Sequence, residues 1–333
     1  MISLYPTFYD NFTCIANHCQ KTCCQRWDID IDSATAAKYL SEPGDLGDEL
    51  RQWIMETEEG HRFRFESSGY CHFLRNDGLC RLVLAKGEAY LCDICHAHPR
   101  FYKYLADLEL CGVGLACEAT VRLLMGQDLQ SPNQTIRQQE EGLTSVAPRD
   151  WPVGNLCFRE CIDEDTLQAF AEDGVEDIEA RQAVSLYDLI CDLGMDVDPS
   201  LVQFSLGDFD SQSLAKILNW LGQTEAINQE WTSLLASLQE EAGTLLDAVQ
   251  TYLASDSYDS ALWNRLYQYL FYRQLDALEE GYSLGDLATY ASRNVFFILV
   301  QVANGADFIR SVVDWSEQIE YDSDNVGLLL STL

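Results

Sequence analysis

Positive charge is scarce in this sequence of 333 residues, which has 21 Lys and Arg against 54 Asp and Glu and a formal net charge of −33 at pH 7. Nucleic acids and anionic membrane surfaces are bound through clustered Lys and Arg, so the charge argues against both as partners. A basic partner, such as a protein that exposes a lysine, fits the charge better. The alternative is that the acidity only keeps the protein soluble.

Long apolar runs are also missing. The longest wholly apolar run, residues 295–300, has six residues, whereas a membrane-spanning helix needs about 20. The opening residues lack a basic start followed by an apolar stretch, so no secretory signal is evident. These absences predict a soluble, cytoplasmic protein. A composition that is 47% hydrophobic and 11% aromatic allows a sizeable core and excludes wholesale disorder.

Cysteine, in contrast, is abundant and unevenly placed. Ten of the 13 cysteines lie within the first 117 residues: Cys14, Cys19, Cys23, Cys24, Cys71, Cys80, Cys92, Cys95, Cys111 and Cys117. The odd total and the missing signal argue against disulfides. Thiols crowded together in a reducing compartment favour binding of a metal through thiolates, and thiols scattered in the core are the alternative.

Most of these cysteines form three closely spaced groups, Cys14-x4-Cys19-x3-Cys23-Cys24, Cys71-x8-Cys80 and Cys92-x2-Cys95. No single spacing is diagnostic of zinc, but three groups within about 80 residues together predict a metal site. Ligands that are all thiolates suit zinc or an iron–sulfur cluster, whereas histidine ligands favour zinc. Zinc stays open because four histidines lie next to or near cysteines: His18, His72, His96 and His98.

Apolar residues repeat at helical spacing in the second half of the chain, over residues 231–249, 262–271 and 284–302. Such stripes usually face a core. In the first half, alternation over residues 27–32 and 62–66 predicts short strands. Residues 71–84 predict a hairpin around Asn76-Asp77-Gly78, and residues 87–96 predict a helix.

These patterns predict a mainly α fold made of two domains. Residues 1–130 would form a small Cys-rich, metal-binding domain with short strands, and a helical domain of residues 153–333 would pack on it. The polar residues 131–152 would form a connecting region. The charge divides in the same way, since residues 1–150 carry a net charge of −8 and residues 151–333 a net charge of −25.

Several unusual motifs occur in an order that resembles the flagellin lysine-N-methylase family over about residues 9–126. They are Cys14…Cys19…Cys23-Cys24-Gln25-Arg26-Trp27-Asp28-Ile29-Asp30-Ile31, Tyr70-Cys71-His72-Phe73-Leu74, Gly78-Leu79-Cys80-Arg81, Gly87-Glu88-x-x-Leu91, Cys95-x-x-His98-Pro99-Arg100, Leu110-Cys111 and Cys117-Glu118-Ala119-x-x-Arg122-Leu123-Leu124. The sequence departs from the family at His72, where Pro is usual, at His98, where Tyr is usual, and at Cys92, which is additional. The motifs are also similar to zinc- or iron-chelating Cys-rich domains.

The resemblance implies a protein-lysine N-methyltransferase that transfers a methyl group from S-adenosylmethionine to flagellin and holds an iron–sulfur cluster, with a 4Fe–4S cluster favoured over zinc. By position, the best cluster ligands are Cys19, Cys23, Cys24, Cys71, Cys80 and Cys95, followed by Cys14 and Cys117 and then Cys111. S-adenosylmethionine binding rests on the resemblance alone, because the chain has no Gly-x-Gly-x-x-Gly turn between a strand and a helix.

Two alternatives to an enzyme remain open from the residues. One is a non-catalytic, zinc- or iron-binding or redox-sensing module whose acidic helices bind a basic partner. The other is a structural zinc protein in which the thiols only stabilise a small domain. If the protein is an enzyme, a base must take a proton from the lysine ammonium, and the candidates next to the motifs are Glu88, Glu118, Tyr90 and Tyr102.

Overall fold

The computed structural model describes residues 1–25, 27–127, 129, 155–172, 180–181, 183–207 and 210–333. Helices account for most of the regular structure in these residues, which confirms the predicted mainly α fold. Before residue 130, the α-helices are α1 (Ser33–Ser41), α2 (Gly44–Trp53), α3 (Arg81–Lys86), α4 (Asp93–Ala97) and α5 (Glu118–Leu124). After it, they are α6 (Glu164–Glu172), α7 (Leu186–Asp192), α8 (Ser211–Leu221), α9 (Gln229–Glu240), α10 (Ala242–Leu253), α11 (Ser260–Tyr272), α12 (Leu284–Ala303), α13 (Phe308–Ile319) and α14 (Ser323–Ser331).

Part of the acidity caps helices. Aspartate carboxylates accept hydrogen bonds from backbone N–H groups in the first turn of five helices, and this also places a negative charge at the positive end of each helix dipole. These aspartates are Asp32 before α1, Asp210 before α8, Asp259 before α11, Asp307 before α13 and Asp322 before α14. The excess of Asp therefore contributes to local structure as well as to net charge.

The larger sheet joins a segment from the beginning of the chain to segments from its middle. It contains β1 (Ile2–Pro6), β5 (Arg100–Leu105), β6 (Leu108–Val113), β7 (Cys157–Ile162) and β8 (Val184–Ser185). The strand order is β5-β6-β1-β7-β8, with β1 parallel to β6 and antiparallel to β7. The hydroxyl of Tyr272 in α11 lies 2.8 Å from the carbonyl oxygen of Leu4 and 2.9 Å from that of Cys111, so this helix is held against the centre of the sheet.

The smaller sheet has three strands, β2 (Asp30–Ile31), β3 (Ile54–Thr57) and β4 (Gly60–Phe63), in the order β2-β4-β3. The alternating residues 27–32 and 62–66 thus contribute strands, although shorter ones than the patterns predict. The predicted hairpin at residues 71–84 is confirmed only around its turn. Leu74 and Cys80 form an isolated bridge around a tight turn, and the chain then enters α3 because the apolar residues after Cys80 suit a helix as well as a strand. The predicted helix at 87–96 is a 3-10 turn, Glu88–Tyr90, followed by α4.

Two hydrophobic cores lie in the described residues. The large core contains the predicted helical stripes, which supply fully buried residues such as Trp263 in α11 and Val295 in α12. The stripe at 231–249 is confirmed as core but is divided between α9 and α10 at Glu241. The small core packs Tyr39, Leu50, Phe63 and Phe73 with several cysteines, and its buried residues lie within residues 29–92.

The predicted boundary between two domains stays a prediction, because residues 131–152 lie outside the described part of the chain. The large core and the large sheet both contain residues from before and after that segment, since β1 pairs with β7 and Leu4 packs in the same core as Trp263. Among the described helices, none combines the length and the hydropathy needed to cross a bilayer.

Candidate metal centre

The eight cysteines ranked highest as cluster ligands line one cavity of about 160 Å³. We call it the cysteine cavity, and its thiols are Cys14, Cys19, Cys23, Cys24, Cys71, Cys80, Cys95 and Cys117. Residues more than 100 positions apart in the sequence therefore meet at one place. Cys111, the weaker candidate, is fully buried in β6 and does not line this cavity.

The first group of cysteines lies on an irregular loop that backbone geometry shapes. A 3-10 turn, Ala16–His18, separates Cys14 from Cys19, and Ala16 takes a positive φ of 47°. This conformation aims the N–H of Ala16 at the sulfur of Cys14, with 3.3 Å between the nitrogen and Sγ. Backbone N–H groups that donate to sulfur stabilise a thiolate, so the loop is suited to hold Cys14 as a metal ligand.

The other thiols are placed by short elements around the same space. The N–H of Cys71 donates to the carbonyl oxygen of Cys24 at 2.9 Å, which joins the second group to the first. Cys80 and Cys117 occupy the N-cap positions of α3 and α5. Cys95 lies in α4, where its thiol is hydrogen-bonded to that of Cys92. Cys92, the additional cysteine, is fully buried behind the cavity wall and does not line it.

Burial makes most of these thiols poor acids in the absence of a metal. It raises the pKa of Cys14 to about 11 and that of Cys71 to about 12, and it raises the pKa values of Cys19, Cys80 and Cys117 as well. These groups are therefore neutral at pH 7. Because metals bind thiolates, loading this cavity would release protons and would need the charge of the metal to offset the cost of burying sulfur anions.

The four histidines have different surroundings. His72 stacks on Trp53 with 3.9 Å between ring centroids and contacts the carboxylates of Glu49 and Glu66 at 2.6 and 2.9 Å, away from the cavity. His18 does not line the cavity either, whereas His96 and His98 do. Burial lowers the pKa of His98 to about 4, so its ring is neutral at pH 7.

Among the four candidate bases, only the two glutamates line the cavity. Glu118 is 3% exposed, and its oxygens already accept from Arg122 at 2.6 Å and from the N–H of Gln20 at 2.6 Å. Glu88 is half-buried, and desolvation raises its pKa. Tyr90 donates to Glu42 at 2.8 Å, and Tyr102 is 43% exposed on β5.

Sequence reasoning missed the contribution of the C-terminal helices. Lys21, on the rim of the cavity, forms ion pairs with Asp314, at 2.7 Å, and with Glu317, both in α13. Almost 300 residues separate these partners in the chain. No motif marks either carboxylate, since charged residues on an amphipathic helix are ordinarily solvated.

The thiols line the wall of the cysteine cavity and do not converge on the position of a single metal ion. Within the described residues, no three His, Cys, Asp or Glu side chains are grouped as ligands of one metal ion. An iron–sulfur cluster takes its cysteines at separate iron atoms, so its thiolates do not need to converge in this way. The donor set, eight thiols around one cavity, fits a cluster of this kind. The assignment of individual ligands stays a prediction.

Comparisons with known proteins find three curated relatives with significant similarity. A lysine-N-methylase of Salmonella choleraesuis and one of Salmonella typhimurium are each 28% identical over 159 residues, which cover 45% of this chain and 40% of the relative. The flagellar biosynthetic protein FliU of Salmonella muenchen is 28% identical over 130 residues, which cover 37% of this chain and 77% of FliU.

No protein-family profile and no solved structure matches the chain. The alignment spans about two fifths of the length of the lysine-N-methylases. Similarity to these proteins agrees with the motifs that surround the cysteine cavity. The predicted resemblance to the flagellin lysine-N-methylase family is therefore confirmed.

Proposed function

We propose that the protein is an S-adenosylmethionine-dependent protein-lysine N-methyltransferase that acts on flagellin and holds an iron–sulfur cluster, with 4Fe–4S favoured, in the cysteine cavity. The observation that carries the proposal is the meeting of all eight predicted thiols at one cavity in a chain related to lysine-N-methylases. The further proposals are the domain boundaries, 1–130 and 153–333, and a cytoplasmic location, where a reducing environment keeps thiols free.

Methyl transfer to lysine needs a base. The neutral amine is the nucleophile, so the ammonium first loses a proton; a new N–C bond then forms as the S–C bond of the sulfonium breaks, and S-adenosylhomocysteine leaves. We propose Glu88 as the base, because it lines the cavity and its raised pKa brings it closer to the pH at which it must work. Glu118 is less suited, since Arg122 and the Gln20 N–H already occupy its oxygens.

The cluster supplies a redox-active, thiolate-bound centre when it is present. A 4Fe–4S cluster takes four cysteine ligands, so four of the eight thiols would hold it. The candidates are Cys14, Cys19, Cys23 and Cys24 on the loop side and Cys71, Cys80, Cys95 and Cys117 on the side of the short elements. The lysine would come from a basic or lysine-bearing protein, in keeping with a net charge of −33. The same charge disfavours nucleic acid and membrane as partners.

The activity is tested with anaerobically purified full-length protein, methyl-labelled S-adenosylmethionine and flagellin. We expect label on flagellin lysine and a large loss of rate in Glu88→Gln, while Glu56→Gln, on the surface strand β3, keeps the rate of the wild type. Absence of label on lysine with the wild type would refute the activity. Equal rates for both variants would refute the role of Glu88 alone.

The cofactor is tested separately through the colour and the iron, sulfide and zinc contents of freshly isolated protein. We expect iron and sulfide in the wild type and their loss in the Cys71→Ser, Cys80→Ser double variant. The matched double variant Cys161→Ser, Cys191→Ser changes two thiols outside the cavity and should keep the metal. A colourless protein that contains only zinc and does not bind S-adenosylmethionine would favour a structural or non-catalytic metal-binding module.

A further inference from the structure

A second, smaller cavity of about 60 Å³ adjoins the cysteine cavity and shares Cys23, Trp27, His98 and Ala116 with it. We call it the aromatic pocket. The rest of its described lining is Gln25, Ile227, Asn228, Glu317 and Tyr321. Apart from Cys23, none of the residues that line this pocket is used in the chemistry proposed above, although three of them carry aromatic rings.

The rings of Trp27, His98 and Tyr321 form a triangle. Their centroids lie 5.6 Å apart for Trp27 and His98, 6.4 Å for Trp27 and Tyr321, and 6.0 Å for His98 and Tyr321. The centre of such a triangle is about 3.5 Å from each centroid, so a cation above it can lie within about 6 Å of all three rings. Clusters of aromatic rings at this range are how proteins bind ammonium groups and their methylated forms.

The charged and polar groups of the pocket also suit a cation. The one carboxylate in its described lining, Glu317, is paired with Lys21, but Lys21 also pairs with Asp314, so the three side chains together keep a net negative charge. The lining that the structure describes includes no Lys or Arg. The Nε2 atom of His98 is buried and makes no hydrogen bond to any described group. A polar nitrogen left unpartnered at the pocket wall is a place where a ligand is expected.

The rest of the wall suits an alkyl chain, because Ile227 and Ala116 are apolar and a lysine carries four methylene groups below its nitrogen. Tyr321 is 41% exposed, which leaves the pocket accessible from outside. Gly114 keeps room for this ring, since a Cβ there would lie 2.8 Å from the Tyr321 hydroxyl oxygen. Because the pocket shares four lining residues with the cysteine cavity, a side chain bound in it lies at the edge of that cavity.

We propose that the aromatic pocket binds the side chain of the substrate lysine, with its ammonium or methylammonium group against the rings of Trp27, His98 and Tyr321 and near the carboxylate of Glu317. The choice of lysine as the source of the cation rests on the proposed function. The pocket holds the charged form before the ammonium gives its proton to Glu88, which lines the adjoining cysteine cavity. Because methylation weakens hydration of the nitrogen but keeps its charge, the methylated product stays bound at least as well as the substrate.

Binding is measured by calorimetry with the full-length protein and small probes that need no methyl transfer. The probes are Nα-acetyl-lysine amide, its Nζ-trimethyl form and the uncharged Nα-acetyl-norleucine amide. We expect the two cations to bind and norleucine not to bind. Tyr321→Ala should weaken binding of the cations about tenfold, whereas Tyr321→Phe keeps the ring and most of the affinity.

Tyr104→Ala is the matched control, since Tyr104 is 56% exposed on β5, away from the pocket, and its loss should leave affinity unchanged. Trp27→Phe provides a second pocket variant that keeps a ring if Trp27→Ala fails to fold. Equal affinity of the wild type and Tyr321→Ala for both cations would overturn the proposal. So would competition of S-adenosylmethionine with trimethyl-lysine for the pocket, because the cation would then be the sulfonium of the cosubstrate.

The two proposals fail in different ways. If flagellin is methylated but Tyr321→Ala leaves both the probe affinity and the KM for flagellin unchanged, the pocket assignment is wrong and the activity stands. If no methylation is found but ring-dependent binding of lysine persists, the activity is wrong and the pocket stands.

Discussion

A buried ion pair between Asp10 and Arg159 is expected to be among the most costly polar contacts to break in this protein. Two guanidinium nitrogens of Arg159 donate hydrogen bonds to the carboxylate of Asp10, Nε at 2.9 Å and Nη2 at 2.7 Å. Arg159 is 4% and Asp10 is 5% exposed. The guanidinium also lies 4.5 Å from the centroid of the Tyr5 ring, so its position is fixed on two sides.

Asp10→Ala leaves the guanidinium buried without its anion. Removing one partner of a buried pair typically costs about 3–5 kcal/mol, because a charge stays in a poorly solvating environment. The exposed pair of Arg51 and Asp48, in α2, is 40% and 80% exposed. Its loss in Asp48→Ala should cost less than about 1 kcal/mol, since water solvates both partners.

The measurement is urea unfolding followed by circular dichroism, with the free energy of unfolding extrapolated to zero urea. The double variant Asp10→Ala, Arg159→Met should be more stable than Asp10→Ala alone, because it removes the uncompensated charge as well. Asp10 lies on the turn that leads to Cys14, so we also expect Cys14 to be alkylated faster in Asp10→Ala. A loss in Asp10→Ala no greater than that in Asp48→Ala would refute this reasoning.

Three further changes test other parts of the structure. Gly47→Ala in α2 should lower the free energy of unfolding in urea by about 1–3 kcal/mol, because its Cβ would lie 1.7 Å from the carbonyl oxygen of Glu42. In Gly243→Ala, in α10, the new Cβ meets nothing within 4 Å, so the free energy of unfolding should rise by up to about 1 kcal/mol. Tyr272→Phe should cost about 1–2 kcal/mol of stability, since it removes the donor to the buried carbonyl oxygens of β1 and β6. Burial lowers the pKa of His98 to about 4, so the unfolded chain binds a proton at this residue more readily than the folded chain. The free energy of unfolding should therefore fall as pH drops from about 6.5 to 4. His98→Phe should flatten this pH dependence, and an unchanged dependence would contradict the role of His98.

The helical half of the fold could be predicted from sequence because the apolar residues that each helix buries recur at regular spacing within that helix. Trp231, Leu235, Val249 and Leu266 recur at helical spacing, and the structure buries all four. The sheet could not be predicted in this way. Its central strand β1 pairs with β6 and β7, which lie more than 100 residues further along the chain. Pairing over such distances leaves no periodic pattern in a single sequence.

The candidate site could likewise be predicted only in part. The thiols could be predicted because cysteine is rare in most proteins and its grouping indicates a common chemistry. Glu317 and Tyr321 could not, because a carboxylate and a tyrosine near the C-terminus resemble any solvated helix surface until the fold brings them next to Trp27. His72 was misleading, since its neighbour Cys71 lines the cavity while its own ring is held by Glu49 and Trp53.

Charge has two separate roles in this arrangement. Residues 151–333 carry a net charge of −25, and a field of this sign attracts basic groups before contact. Salt screens such attraction over about 8 Å at physiological ionic strength, so it acts mainly on the rate of encounter. Contacts inside the aromatic pocket are shorter and less screened, and they depend on ring positions set by β6 through Gly114 and by the ion pairs of Lys21 with α13. On the proposed function, the acidic surface would bring a basic protein to the molecule, and the aromatic pocket would then hold a long cationic side chain at the edge of the cysteine cavity.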